Sequence, residues 1–284
     1  MKKLLMAVAA LLTISCEKAD LSLLNQEKVK KITFCLAGDL QAEQQPMTRA
    51  LTADGKQLTD LWLLDYDADG NLLQQLHKTA DDADQHQPSM ALAYGTHTIY
   101  AIASRGTGAE LSTDNKEVTW TTTSDTFWAT TELTISEGSS ATQELQLARV
   151  ATKLQVVVND AMPTEIATVD VTPATWYYGL DYTTGEATAP ATSTPRTMTI
   201  PAAKAGQTGV TLNLYGLSPA ADWTTNISIT AKDAEGNTLG TASKQAVPMA
   251  RNRVTRLSGT LFAGARALSL AMADTWGEQL EASW

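Results

Sequence analysis

Apolar residues in this chain recur at every second position, and helical periodicity is weak throughout, so the chain is built for strands rather than helices. Ile32, Phe34 and Leu36 lie on one face of a first strand, Lys31 to Leu36. Leu61 to Leu64 and Thr98 to Ala103 follow, with Asp67-Ala68-Asp69-Gly70 as a hairpin turn because Asp-Gly tolerates positive φ. Residues 104–130 are Thr-rich and irregular and carry Trp120, Phe127 and Trp128; residues 72–84 have room for a short helix. A second set of strands begins near Leu145 and shows in Leu154, Val156 and Val158, then Val169 and Val171, then Val210, Leu212 and Leu214, then Ile227 and Ile229. Two such stretches, separated by turn signals and without intervening helices, predict an all-β chain of two tandem β-sandwiches with a boundary near residue 148.

The beginning of the chain points to export. Lys2 and Lys3 precede an apolar stretch from Leu4 to Ile14, the length of a signal core and too short to span a bilayer. It ends in Leu12-Thr13-Ile14-Ser15-Cys16, which resembles a bacterial lipobox, except that Thr13 stands three places before the Cys where Leu is usual. Residues 1–15 are then a signal peptide and Cys16 the lipidated mature terminus, with residues 17–28 as a tether. Several acyl chains, at about 0.8 kcal/mol per buried CH₂, would anchor it stably to a membrane. Cys35 is expected to be a small buried hydrophobe on a strand.

The end of the chain continues the period of two. Leu268, Leu270, Met272, Trp276, Leu280, Ala282 and Trp284 share one parity, interrupted by Asp274 and Glu278. An extended segment with one apolar edge must bury that edge. Two placements fit: an extra strand folded back on its own domain, or a donor strand for another subunit.

No chemistry-bearing constellation emerges. Asp65 to Gly70 begins like a calcium loop, but its twelfth position is Leu76 where Glu is needed. His77, His86 and His97 lack ligand partners at metal spacing and read as surface residues. Nucleophile elbows, phosphate loops and dinucleotide fingerprints are missing, so the expectation is a non-enzyme without cofactor or metal. A formal net charge of −10 repels phosphate backbones and argues against nucleic acid. Trp120 and Trp128 read first as core residues, second as glycan contacts.

Four features together resemble the fimbrillin superfamily, the lipoprotein-derived pilins of Bacteroidetes-type bacteria. They are the lipobox at Cys16, Thr48-Arg49-Ala50 after the first strand, the central Leu147-Ala148-Arg149-Val150-Ala151-Thr152-Lys153-Leu154, and a terminal tail holding Trp276 and Trp284. The resemblance implies two transthyretin-like β-sandwiches and an extended C-terminal donor-strand tail. It also implies cleavage by an Arg-specific protease between Arg49 and Ala50, loss of the strand carrying Ile32, Phe34 and Leu36, and filling of the groove by a neighbour's tail. Donor residues would be Leu268, Leu270, Met272, Trp276, Leu280 and Trp284. On this reading residues 16–49 are a lipidated propeptide, 50–148 and 149–263 the two sandwiches, and 264–284 the tail. The implied role is a stalk-type structural pilin, with other copies or related pilins as partners and a host protein or glycan as ligand. A fimbrial anchor or accessory lipoprotein, or a lipid-anchored glycan-binding sandwich, are the alternatives.

Overall fold

A computed structural model describes residues 28–39, 58–188, 191–192, 194–262 and 268–272. Apart from a 3-10 turn at Ala202–Lys204, the regular elements among them are strands. The first half holds β1 (Val29–Gly38), β2 (Asp60–Asp67), β3 (Leu72–Thr79), β4 (Ser89–Ala93), β5 (Gly95–Ser104), β6 (Thr107–Ser112), β7 (Glu117–Thr122), β8 (Thr126–Ile135) and β9 (Thr142–Arg149). The second holds β10 (Ala151–Val158), β11 (Ile166–Pro173), β12 (Thr175–Trp176), β13 (Gly179–Asp181), β14 (Glu186–Ala187), β15 (Ala191–Thr192), β16 (Arg196–Thr199), β17 (Val210–Leu217), β18 (Trp223–Asp233), β19 (Thr238–Met249), β20 (Val254–Gly259) and β21 (Leu268–Met272).

The first half forms one sheet in the order β3-β2-β5-β8-β9-β1-β4. It turns a corner between β8 and β9, which pair only at Phe127–Arg149 and Trp128–Ala148. The two flaps therefore face each other, and Ile32, Phe34, Leu61, Leu63, Ile99, Leu145 and their neighbours fill the space between. The second half has β17-β10-β20-β21 over β16-β11-β18-β19, with Leu154, Val156, Val169, Trp176, Ile229 and Leu257 in its core. The two halves repeat one plan. β4-β1-β9 corresponds to β17-β10-β20, and β3-β2-β5-β8 to β16-β11-β18-β19. In each, the opening strand lies parallel to the closing one: β1 to β9, β10 to β20. Among the described strands, β21 extends the second-half sheet beyond this shared plan.

A third apolar cluster joins the halves. β7 pairs with β13 at Val118–Leu180, which places a β14-β13-β7-β6 sheet across the outer face of β2 and β5. Trp62, Leu64, Tyr66, Ile102, Trp120, Leu180 and Tyr182 are packed there. β2 is thus covered on both faces, which is why Leu61 to Leu64 is a continuous apolar run rather than an alternating one. Trp120 and Trp128 belong to this cluster: the Trp128 Nε1–H donates to the Tyr182 carbonyl at 2.7 Å. Gly185 (φ +71°) passes under the Trp128 ring, where a Cβ would lie 2.7 Å from its carbons, so any larger residue would displace the indole.

Two expectations are corrected. Residues 72–79 form β3, hairpin-paired to β2 from Leu61–Lys78 to Leu64–Gln75, instead of the start of a helix. The Asp-Gly turn brings the segment back onto β2, and ladder pairing outweighs its weak helical pattern. His97 is buried, not at the surface: its Nδ1 meets Asp65 Oδ1 at 2.7 Å and its Nε2 meets the Ala93 carbonyl at 2.9 Å. Both ring nitrogens are thus engaged inside the protein. Cys35 is on β1, half-buried and unbridged.

Candidate functional site: the first strand and the terminal edge strand

β1 is an inner strand. Its first part zips antiparallel onto β4, from Val29–Ala93 to Thr33–Ser89. Its second part runs parallel to β9, from Thr33–Thr142 to Gly38–Leu147. Alternation sends Ile32, Phe34 and Leu36 into the core, with exposures of 1%, 0% and 5%. At roughly 1.5–3 kcal/mol per fully buried large side chain, the three hold back roughly 5–9 kcal/mol. That is comparable with the whole stability of an ordinary domain, about 5–15 kcal/mol. Loss of β1 without replacement would leave a groove lined by core residues and by unpaired backbone on β4 and β9.

Polar contacts pin both ends of β1. Lys30 Nζ donates to the Glu137 and Ser139 carbonyls in the β8–β9 turn. At the other end Gly38 (φ +81°) bends the chain against Leu147, where a Cβ would stand 2.5 Å from the carbonyl oxygen. Asp39 then accepts from the Arg149 N–H at 2.7 Å and from Asn252 Nδ2 at 3.4 Å. The Arg149 guanidinium forks onto buried Asp125 (Nε–Oδ1 2.7 Å, Nη2–Oδ2 3.2 Å), reaches Asn252 Oδ1 at 3.1 Å and sits 4.9 Å over the Phe127 ring. The end of β1, the β9–β10 link and the β19–β20 turn therefore share one network. Its only sequence signal was the central Arg149, read as part of a family pattern and not as a buried ion-pair partner.

The terminal segment lies elsewhere. β21 pairs antiparallel with β20, from Gly259–Leu268 to Thr255–Met272, as the edge strand of the second-half sheet. Leu270 is half-buried against the second-half core, and Met272 is half-buried as well. Within this chain the described part of the tail thus takes the folded-back placement, and β1 and β21 sit in different sheets. Cys16, Arg49, Ala50, Trp276, Leu280 and Trp284 lie outside the described residues, as does the side chain of Leu268.

The Asp-rich turn binds itself. Asp67 accepts from Asn71 Nδ2 and from the Asp69 and Asn71 N–H groups, and these bonds, Asn71's side chain foremost, hold its carboxyl below the usual range. Asp65 is committed to His97 and Gln74. Among the described residues no cluster of His, Cys, Asp or Glu could hold a metal ion.

Several solved structures share this fold. A candidate adhesin from Bacteroides ovatus superposes with a TM-score of 0.54 at 10% identity, covering 81% of this chain and 86% of that one. A candidate polysaccharide-binding protein from Bacteroides thetaiotaomicron gives 0.52 at 9% identity, over 89% and 98%. A fimbrial assembly protein from Parabacteroides distasonis gives 0.50 at 10% identity, over 86% and 95%. At the level of fold this bears out the resemblance to fimbrillins. No curated protein matches the sequence. A family model does, over residues 80–282, and the chain accordingly belongs to the family of unknown function DUF6562.

Proposed function

We propose that this protein is a structural subunit of surface fimbriae that supports adhesion, made as an outer-membrane lipoprotein and assembled by strand exchange. Cys16 carries the lipid. An Arg-specific protease cuts between Arg49 and Ala50, in the segment that joins β1 to β2, and frees β1 from the body. The vacated groove between β4 and β9 accepts the tail of another copy or a related pilin. The two halves act as tandem transthyretin-like sandwiches, residues 50–148 and 149–263, and residues 264–284 as the donor. The protein is not an enzyme and needs no cofactor.

The observation that carries this reading is the placement of β1. It is the strand nearest the start of the described chain, it is inner to its sheet, and it carries three core side chains at spacing two. The tail offers Leu268, Leu270 and Met272 at the same spacing. Its hold in the folded-back position is light, a five-residue edge strand with Leu270 only half-buried, so exchange gives up little. The fold shared with an adhesin candidate and a fimbrial assembly protein agrees with such a role. The second reading, a fimbrial anchor or accessory lipoprotein, draws on the same structure: an anchor keeps its first strand, and here β1 is in place and the tail is folded back.

Arg49→Ala separates the two. For a stalk subunit it leaves a lipidated monomer that starts at Cys16 and forms no ladders on mild gels. Normal polymers from this variant, with N-terminal sequencing of the surface form giving Cys16, would remove the cleavage step and favour the anchor.

A further inference from the structure

A cleft of about 250 Å³ opens where the turn between β7 and β8 meets β16 and β17 of the second half. The first half lends it Arg105 and the hydroxyl-bearing Thr107, Thr122 and Ser124; the second lends Arg196 and Asn213. The chain as a whole has 31 acidic against 21 basic residues, yet two guanidinium groups and no carboxylate line this cleft. The lining is thus basic in side-chain type where the molecule as a whole is acidic. Arg196 is held in place beforehand. It stacks 4.0 Å over the Tyr178 ring and donates through Nε to the Tyr178 hydroxyl at 2.8 Å. That leaves the two terminal nitrogens of its fork for a planar acceptor, with no acceptor on them among the described residues. The wall is fixed too: the Tyr215 carbonyl receives both Thr123 Oγ1 and Trp176 Nε1.

We propose that this cleft binds one carboxylate-bearing sugar unit, a uronic or sialic acid residue of an acidic glycan. The carboxylate meets the Arg196 fork, with Arg105, 8% exposed, in the same lining. The ring hydroxyls meet Thr107, Thr122, Ser124 and the Asn213 amide, groups that both donate and accept as sugar hydroxyls do. The volume lies just below the ~300–1,000 Å³ of pockets for drug-sized ligands, which suits a single ring and not an oligosaccharide. The site spans both halves and involves neither β1 nor β21, so it does not depend on strand exchange.

The test is calorimetric titration of the full chain with glucuronate, galacturonate and N-acetylneuraminate, against glucose as the neutral sugar and acetate as the bare anion. At least one sugar acid should saturate a single site about tenfold or more tighter than glucose and acetate. Arg196→Gln should weaken it by about tenfold or more while the free protein still melts in one cooperative transition, its midpoint lowered only by the lost Tyr178 contact. Asn213→Ala, which keeps both arginines, should weaken the sugar acid but not acetate. Three results overturn the proposal: no saturable binding by any of the acids, acetate binding as tightly as the best acid, or both variants binding like the wild type.

Discussion

β1 and β10 hold the same place in two copies of one plan, yet their neighbours hold them differently. β10 pairs with β17 along its whole length, Ala151–Leu217 to Val158–Val210, and with β20 on the other side from Lys153 to Val158. It is also continuous at its start with β9 through Val150, which is itself buried and hydrogen-bonded to Thr126 and Ser218. β1 divides its pairing: β4 takes Val29 to Thr33, β9 takes Thr33 to Gly38. Each neighbour grips half the strand, and the two grips meet at Thr33. A staggered strand can be peeled or replaced from one end in steps, whereas β10 would have to give up both ladders at once. The same topology therefore gives the two strands the same place, while register gives them different holds: divided for β1, two-sided for β10.

The largest effect that could break this comparison is a cavity under each strand. Phe34→Ala and Leu154→Ala should both destabilise the intact monomer, by about 3–5 and about 2–5 kcal/mol, because both side chains are fully buried. They should part company after assembly. If β1 is exchanged for a neighbour's segment, Phe34 is no longer part of the fold, and polymer stability should not respond to Phe34→Ala while Leu154→Ala keeps its full cost. Denaturant melts of monomer and polymer read this directly; equal loss in both states would mean that β1 stays.

How far this could be read beforehand differs along the chain. β1 was legible because Ile32, Phe34 and Leu36 alternate cleanly over a one-sided core. The tail was legible as a strand but not in its placement, since a single apolar parity at Leu268, Leu270 and Met272 says what must be buried and not against what. Residues 104–130 looked irregular because β7 finds its partner in β13, some sixty residues on, and neither carries a long alternating run. The segment 72–84 misled because Leu72, Leu73 and Leu76 fit a helical turn locally, and only the β2 ladder decides otherwise. His97 and Asp65 are buried as a pair, and a pair distant in sequence leaves no mark on either residue's surroundings in the sequence.

A smaller effect sharpens the contrast between β1 and β21. Leu270 is half-buried on an edge strand, so Leu270→Ala should cost the monomer about 1–2 kcal/mol, well under the range for fully buried leucine. If the tail is a donor, the same change should shorten subunit ladders far more than it lowers the melt. A monomer loss of the size expected for Leu154→Ala would make the tail an integral strand of the second half.

The smallest effect concerns the seam that holds the two halves together, and it is read through pH. Tyr182 comes from the second half and packs under β2 of the first, its hydroxyl 2.6 Å from that of Tyr66. Burial, helped by the Tyr66 hydrogen bond, pushes the Tyr182 phenol well above the usual tyrosine range. The folded state therefore keeps a proton that the unfolded chain gives up near pH 10. Where the folded state binds more protons than the unfolded one, stability falls as pH rises. The contribution is fully present below about pH 10 and is lost as pH climbs through the folded value. Tyr100 and Tyr178, raised by burial as well, add to the same slope. Tyr182→Phe should cost about 0.5–1.5 kcal/mol at pH 8, the worth of one hydrogen bond, and the variant should then lose less than the wild type between pH 8 and pH 10.5. Urea melts at the two pH values give the four numbers needed. If the gap between wild type and variant is the same at both, the Tyr182 phenol is not held protonated by the seam, and the two halves are joined there less tightly than the Tyr66–Tyr182 geometry requires.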